Sequence, residues 1–221
     1  MRRLPNHDYK SPCTYHITLK KLKEVPEFSV VTGRPESWYV HHSVIGRAIE
    51  KSINETSTIN PRIKIYRYVV MPDHVHILLR VLEYLDKSVG VDIGKIKTRS
   101  LQKVHEKGLN FESLFERDFH DRIIWPRHSL NTVFQYVKTN PSRLLARKFY
   151  PEYFRRVNDV FNYRGIQWQA YGNMQLLDNP FKDAVICHRA DERIPEKAKA
   201  NRDNWFYTAE NGGVLVSAFI A

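Results

Sequence analysis

Cysteine is nearly absent from this chain of 221 residues, which has only Cys13 and Cys187, far apart and in no CxxC pair. A cysteine-based zinc site is therefore unsupported, and two isolated thiols fit a reducing cytoplasm. Long apolar runs are missing too. None approaches the roughly 20 residues needed to span a bilayer, so no membrane association is expected. The opening MRRLPNHDYK carries charge with no apolar stretch behind it, so it does not read as a secretory signal. Internal repeats and low-complexity segments are lacking. Acidic residues are in deficit, with 24 Asp and Glu against 35 Lys and Arg, a formal charge of +11. Such an excess points to a polyanionic partner, nucleic acid being the commonest, or to a generally basic surface.

Hydrophobic residues make up 42% of the chain, enough for a real core, so wholesale disorder is excluded. The length suits one good-sized domain plus a smaller unit. Cys13–Leu19 alternates as a strand, with Tyr15, Ile17 and Leu19 on one face and His16 and Thr18 on the other. Lys20–Ser37 holds Pro26, Gly33 and Pro35 and reads as a loop. Tyr39–Ser57 carries the apolar stripe of an amphipathic helix. Arg62–Met71 and His74–Val81 read as strands joined by the turn Met71-Pro72-Asp73. Asp86–Glu106 reads as a helix, Phe119–Trp125 as a strand, and Ser129–Tyr150 as a helix that Pro141 should kink or interrupt. The order β-α-β-β-α-β-α predicts an α+β, ferredoxin-like split βαβ fold, an antiparallel sheet with its helices on one face. Beyond residue 150 the chain breaks into short segments between turns, closing on a strand-like Val214–Ala221. Residues 1–150 are thus expected as one domain and 151–221 as a C-terminal extension of unassigned role.

His74 and His76 stand two apart on a predicted strand, so both imidazoles project from one face while Val75 points to the core. Neutral imidazole is the commonest metal-binding side chain, and such a pair is a two-point clamp. Taken alone, it fits two histidines on a solvated sheet face as well. Tyr136 and Asn140 lie four apart on a predicted helix, which puts phenol and carboxamide on one side. An amide oxygen suits Mg²⁺ or Mn²⁺. Each of these residues also has an ordinary packing or helix-end role open to it.

MPDHVHILL followed by a helix containing YVKTNP resembles the single-tyrosine HUH transposases, in particular the REP-associated tyrosine transposase family. FHDRII at Phe119–Ile124 resembles that family's strand before the tyrosine helix. The resemblance covers roughly residues 10–150 and agrees with the inferred order of elements. It implies His74 and His76 as metal ligands, Asn140 as the third, Tyr136 as the nucleophile, Mg²⁺ or Mn²⁺ as the cofactor, and single-stranded DNA beside a hairpin as the substrate. The implied activity is a metal-dependent endonuclease and transposase that nicks and rejoins DNA through a covalent 5′-phosphotyrosine. A non-catalytic or domesticated nucleic-acid-binding regulator on the same scaffold stays open, as does a hydrolase that uses water, and a homodimer is left open too.

His16 is a candidate to stand behind the ligands if its strand neighbours His74–Val81, and Asp121 is a candidate to orient a ligand histidine. Lys95, Lys97, Arg99 and Lys103 on one helix, and Arg143 and Arg147 on another, are candidates for phosphate contacts.

Overall fold

The structure is a computed structural model that describes residues 6–124, 130–163, 166–172, 178–185 and 195–217. The chain divides into two compact units, Met1–Phe149 and Tyr150–Ala221.

The first unit is built on a sheet of four antiparallel strands: β1 (Thr14–Lys20), β4 (Ile63–Val70), β5 (His74–Val81) and β6 (His120–Ile124), in the spatial order β4-β5-β1-β6. With α1 (Val44–Asn54) between β1 and β4, and α3 (Val89–His105) between β5 and β6, this is the ferredoxin-like arrangement. A four-residue turn of helix, α2 (Thr56–Ile59), follows α1. Alternation decides the two faces of the sheet. The odd residues Tyr15, Ile17 and Leu19 of β1, and Val75, Ile77, Leu79 and Val81 of β5, are fully buried against α1 and α3. The even residues, including His16, Thr18, His74 and His76, therefore point the other way.

That second face is not bare. Helix α4 (Leu130–Phe149) lies on it, with Val133 and Val137 packed on Leu78 and Ile124 in a smaller core of their own. The expectation of all helices on one face thus holds for α1 and α3 and fails for α4. Its stripe is drawn to the one apolar spot that the even residues offer. Pro141 sits inside α4, which runs on through it, anchored by buried Val133, Val137 and Leu145.

Lys20–Ser37, expected as a loop, contains β2 (Ser29–Arg34), which pairs with β3 (Ser37–His42) as a hairpin. Gly33 supplies its positive φ of 101°. The helix expected from Tyr39 starts only at Val44. Ser43 caps it, its hydroxyl accepting from the Gly46 amide at 3.1 Å, while Trp38, Tyr39 and Val40 take the extended form that aromatic and β-branched residues favour. His41 and His42, expected on that helix, stand on β3 instead and meet different partners, Thr32 and Glu50.

In the second unit a short 3-10 turn (Pro151–Phe154) precedes the hairpin of β7 (Arg156–Tyr163) and β8 (Ile166–Tyr171). Strand β9 (Lys182–Val185) pairs in parallel with β10 (Val214–Ser217), the two joined through α5 (Pro195–Glu210). The strand-like C-terminal segment thus finds its neighbour within its own unit. Trp125 and Cys187 lie outside the described residues. Among the described residues no helix is long and apolar enough to cross a membrane.

Candidate active site

The turn Met71-Pro72-Asp73 sets the start of β5. It is pinned by three backbone bonds: Lys21 N–H to the Asp73 carbonyl at 2.9 Å, Phe28 N–H to the Pro72 carbonyl at 2.9 Å, and Met71 N–H to the His74 carbonyl at 2.8 Å. From there β5 delivers His74 and His76 to the even face. Their Nε2 atoms approach to 3.1 Å and so aim at one place. The other ring nitrogens are occupied. His74 Nδ1 lies 2.6 Å from a carboxylate oxygen of Asp73. His76 Nδ1 lies 3.0 Å from His16 Nε2 and 3.0 Å from the Thr18 hydroxyl. A proton held on each Nδ1 leaves both Nε2 lone pairs free for an electrophile.

His76 is buried at 5% exposure, and desolvation, followed by the nearness of His74 and His16, pushes its pKa down to about 3. Burial, then Arg122, then His74, lowers His16 to about 4. Both rings are therefore neutral near pH 7, the form that binds metals.

Tyr136 comes to this pair from α4. Its ring centroid is 5.3 Å from that of His76 and 5.8 Å from that of His16, edge-on to both. The Arg143 guanidinium stands over the phenol ring, 5.2 Å from its centroid. The Tyr136 hydroxyl has no hydrogen-bond partner among the described residues, and the residue is 37% exposed. Val133 and Val137 pack with Leu78, Tyr136 between them meets His76, and α4 continues beyond the phenol for more than one further turn. Asn140 is on the next turn, on the side of Tyr136. It is 8% exposed, with no hydrogen bond from its carboxamide to any described residue.

This donor set fits a hard divalent ion. Two bonds of about 2.1 Å at right angles put their donor atoms about 3.0 Å apart, close to the spacing of the two Nε2 atoms. Among the described residues no three His, Cys, Asp or Glu side chains form a group able to hold a metal. His16 is committed to the Nδ1 side of His76, and the Asn140 carboxamide oxygen is a donor of the kind that hard divalent ions take.

Other expected site residues fall elsewhere. Asp121 pairs in register with Ile17 and so projects from the core face, away from the histidines. Alternation on β6 turns it away and brings His120 and Arg122 to the site face. The four basic residues of α3 are on the far side of the sheet and bonded within the fold. The Lys97 ammonium donates to the carbonyls of Glu116, Arg117 and Asp118 at 2.8, 3.1 and 3.2 Å. Arg99 donates to the Ser52 carbonyl and the Thr56 hydroxyl. Lys103 pairs with Glu55 at 3.0 Å, and Lys95 with Asp92 at 3.4 Å. Arg143 and exposed Arg147 stay with the site helix, seven and eleven residues beyond Tyr136 and hence on its stripe.

No family model matches the chain, and no curated relative matches it in sequence. Its architecture is similar to that of two solved transposases. One is a REP-associated tyrosine transposase bound to a REP hairpin, 17% identical, with a TM-score of 0.48 over 65% of this chain and 74% of the other. The other is a provisionally assigned transposase from Deinococcus radiodurans R1, 16% identical, with a TM-score of 0.39 over 62% of this chain and 96% of that one.

Asp73, Thr18 and Arg122 are site residues that sequence reasoning missed. Adjacency to His74 was a visible signal for Asp73. Thr18 and Arg122 become neighbours only through strand register, which sequence alone does not display.

Proposed function

We propose that the first unit is a metal-dependent enzyme that nicks and rejoins single-stranded DNA, with Tyr136 as its nucleophile. The observation that carries this reading is the phenol ring set against His76, beside two Nε2 atoms 3.1 Å apart whose Nδ1 atoms are both engaged. His74, His76 and the Asn140 carboxamide would hold Mg²⁺ or Mn²⁺. When bound, the ion draws charge from the non-bridging oxygens of the scissile phosphate and fixes it for in-line attack.

The protein's own groups do the rest. Asp73 holds the His74 ring, and His16 with Thr18 holds that of His76. The Tyr136 oxygen forms a bond to phosphorus as the bond from phosphorus to the 3′ oxygen breaks. The phenolic proton is lost to solvent, and the departing oxygen takes one up to become a 3′-hydroxyl. The 5′-phosphotyrosine conserves the energy of the phosphodiester. A 3′-hydroxyl attacking it restores the DNA strand and the free tyrosine without ATP. Single-stranded DNA beside a hairpin is the substrate implied by the paired MPDHVH and YVKTNP motifs, and transposition is the corresponding process.

The test is incubation of the protein with a hairpin-bearing single-stranded oligonucleotide and Mn²⁺, followed by denaturing electrophoresis. Wild type should form a covalent adduct, and Tyr136→Phe should form none while melting at the same temperature. An adduct that persists in the Phe variant, or none in wild type, overturns the proposal. Binding without an adduct would assign the scaffold to a nucleic-acid-binding regulator.

A further inference from the structure

Helix α4 lies over β4 and β5 and reaches Ile124 of β6 and the His16 ring of β1, while Lys20 and Arg122 on the same face of β1 and β6 stay exposed. Antiparallel register states which side chains stand there. Lys20 is directly opposite His74, His120 is opposite Thr18 in the row of His76, and Arg122 is opposite His16. Directly opposed residues project from the same face with their Cβ atoms about 5 Å apart. Lys20 and Arg122 are exposed, and Thr18 and His120 are half-buried. Neither the Lys20 ammonium nor the Arg122 guanidinium has an ion-pair or hydrogen-bond partner among the described residues. Asp121, the one acid of β1 and β6, is turned to the core side, and the acid at the end of this face, Asp73, has its carboxylate 2.6 Å from His74 Nδ1.

The α3 cations are the counter-example. Each is bonded within the fold, as a lysine or arginine with a structural task is. Lys20 and Arg122 have no such task. They stand about 13 Å apart along the strand direction, four residues at about 3.3 Å each, with the histidine pair and Tyr136 between β1 and α4.

We propose that the exposed half of this sheet face is the track for the sugar-phosphate backbone of single-stranded nucleic acid, with Lys20 holding the phosphate beside His74 and Arg122 holding one further along. The occupant follows from charge: two cations with no ion-pair partner among the described residues, on a polar face continuous with the histidine pair. The inference rests on the proposed nicking reaction only for the identity of the phosphate at Lys20.

Fluorescence anisotropy with a labelled hairpin-bearing single strand, in EDTA across a salt series, tests the track without metal or chemistry. Each neutralised phosphate contact contributes a slope of about 0.7 in log Kd against log salt for single strands. Lys20→Ala and Arg122→Ala should each lower the wild-type slope by about 0.7, and the double variant by about 1.4. Lys95→Ala on the far face should leave it unchanged, and Lys20→Arg should restore it. With Mn²⁺ and saturating DNA, Lys20→Ala should also slow adduct formation at least tenfold, which a merely structural residue would not do at unchanged melting temperature. Wild-type slopes in both variants overturn the track, whether or not the adduct forms. Lowered slopes with no adduct in wild type sustain the track and overturn the nicking reaction instead.

Discussion

Asp73 gives the sharpest test of how the histidine pair is prepared. Its carboxylate lies 2.6 Å from His74 Nδ1, and among the described residues it is the only side chain bonded to that ring apart from His76. Removing such a partner from a ligand histidine typically weakens metal binding 10–100-fold. Asp73 is 76% exposed, so water screens its charge, and the loss belongs at the low end. For Asp73→Ala the expectation is about tenfold weaker Mn²⁺ binding, roughly 1.4 kcal/mol. Asp73→Asn keeps an oxygen to accept from Nδ1 but loses the charge, so it should fall between the two, at about threefold on the same scale. The turn should survive both changes, because its three bonds are made by backbone atoms. Titration calorimetry of Mn²⁺ into the metal-free protein gives the affinities, and circular dichroism checks the fold. Wild-type affinity in Asp73→Ala would refute the argument, since it would mean that the carboxylate neither orients the ring nor raises its basicity.

Three other outcomes follow from the same geometry. In the metal-free protein His16 and His76 titrate near 4 and 3, against about 6.5 in the unfolded chain. The unfolded state therefore takes up protons first, so stability should be complete above about pH 6.5 and fall as the pH drops toward 4; urea titrations from pH 7.5 to 4.5 should show this, with a weaker dependence in His16→Gln. Lys97→Ala should cost about 1–3 kcal/mol by leaving three carbonyls without their donor, while single-strand affinity stays at the wild-type value; lost affinity at unchanged stability would return Lys97 to the nucleic-acid interface. Ile77→Ala, at a fully buried position directly behind the histidines, should cost about 2–4 kcal/mol in denaturant unfolding.

The strands that frame the site were legible because alternation is a local property. His74–Val81 is bounded in the structure as its pattern predicts, and β1, β4 and β6 differ from expectation by a residue or two at their ends. The β2–β3 hairpin was not legible. Pro35 and Gly33 signal a turn, but the segments beside them are short and only partly buried, so they lack the apolar rhythm that marks a strand. Pro141 misled in the other direction. Local chemistry favours a break there, and tertiary burial of Val137 and Leu145 overrides it. At the site, spacing put the two histidines on one strand face and Tyr136 with Asn140 on one helix side, because i,i+2 on a strand and i,i+4 on a helix each define a face; what brings Tyr136 to His76 is the tertiary packing of α4. Spacing could not rank Asp121 against Arg122. They are adjacent in sequence and project from opposite faces, and only their pairing with Ile17 and His16 decides which one meets the site.

The same reasoning changes what the positive charge of the chain means. Composition weights every lysine and arginine equally, and on that footing the crowded α3 is the natural phosphate surface. The sheet separates the cations by side. On the α3 side they are spent on carbonyls, on Glu55 and on Asp92, because a helix that buries Ile93, Ile96 and Val104 brings its flanking cations within reach of neighbouring chain ends. On the histidine side, Lys20 and Arg122 have no ion-pair partner among the described residues, the Asp73 carboxylate being held by His74, and their charge remains available. A surface that keeps cations without ion-pair partners among the described residues, next to the histidine pair and the Tyr136 phenol, is prepared for an anion that arrives from outside. Neutralising the cations of β1 and β6 should therefore weaken single-strand binding, and neutralising an equal number on α3 should cost stability instead, an asymmetry that total charge does not predict.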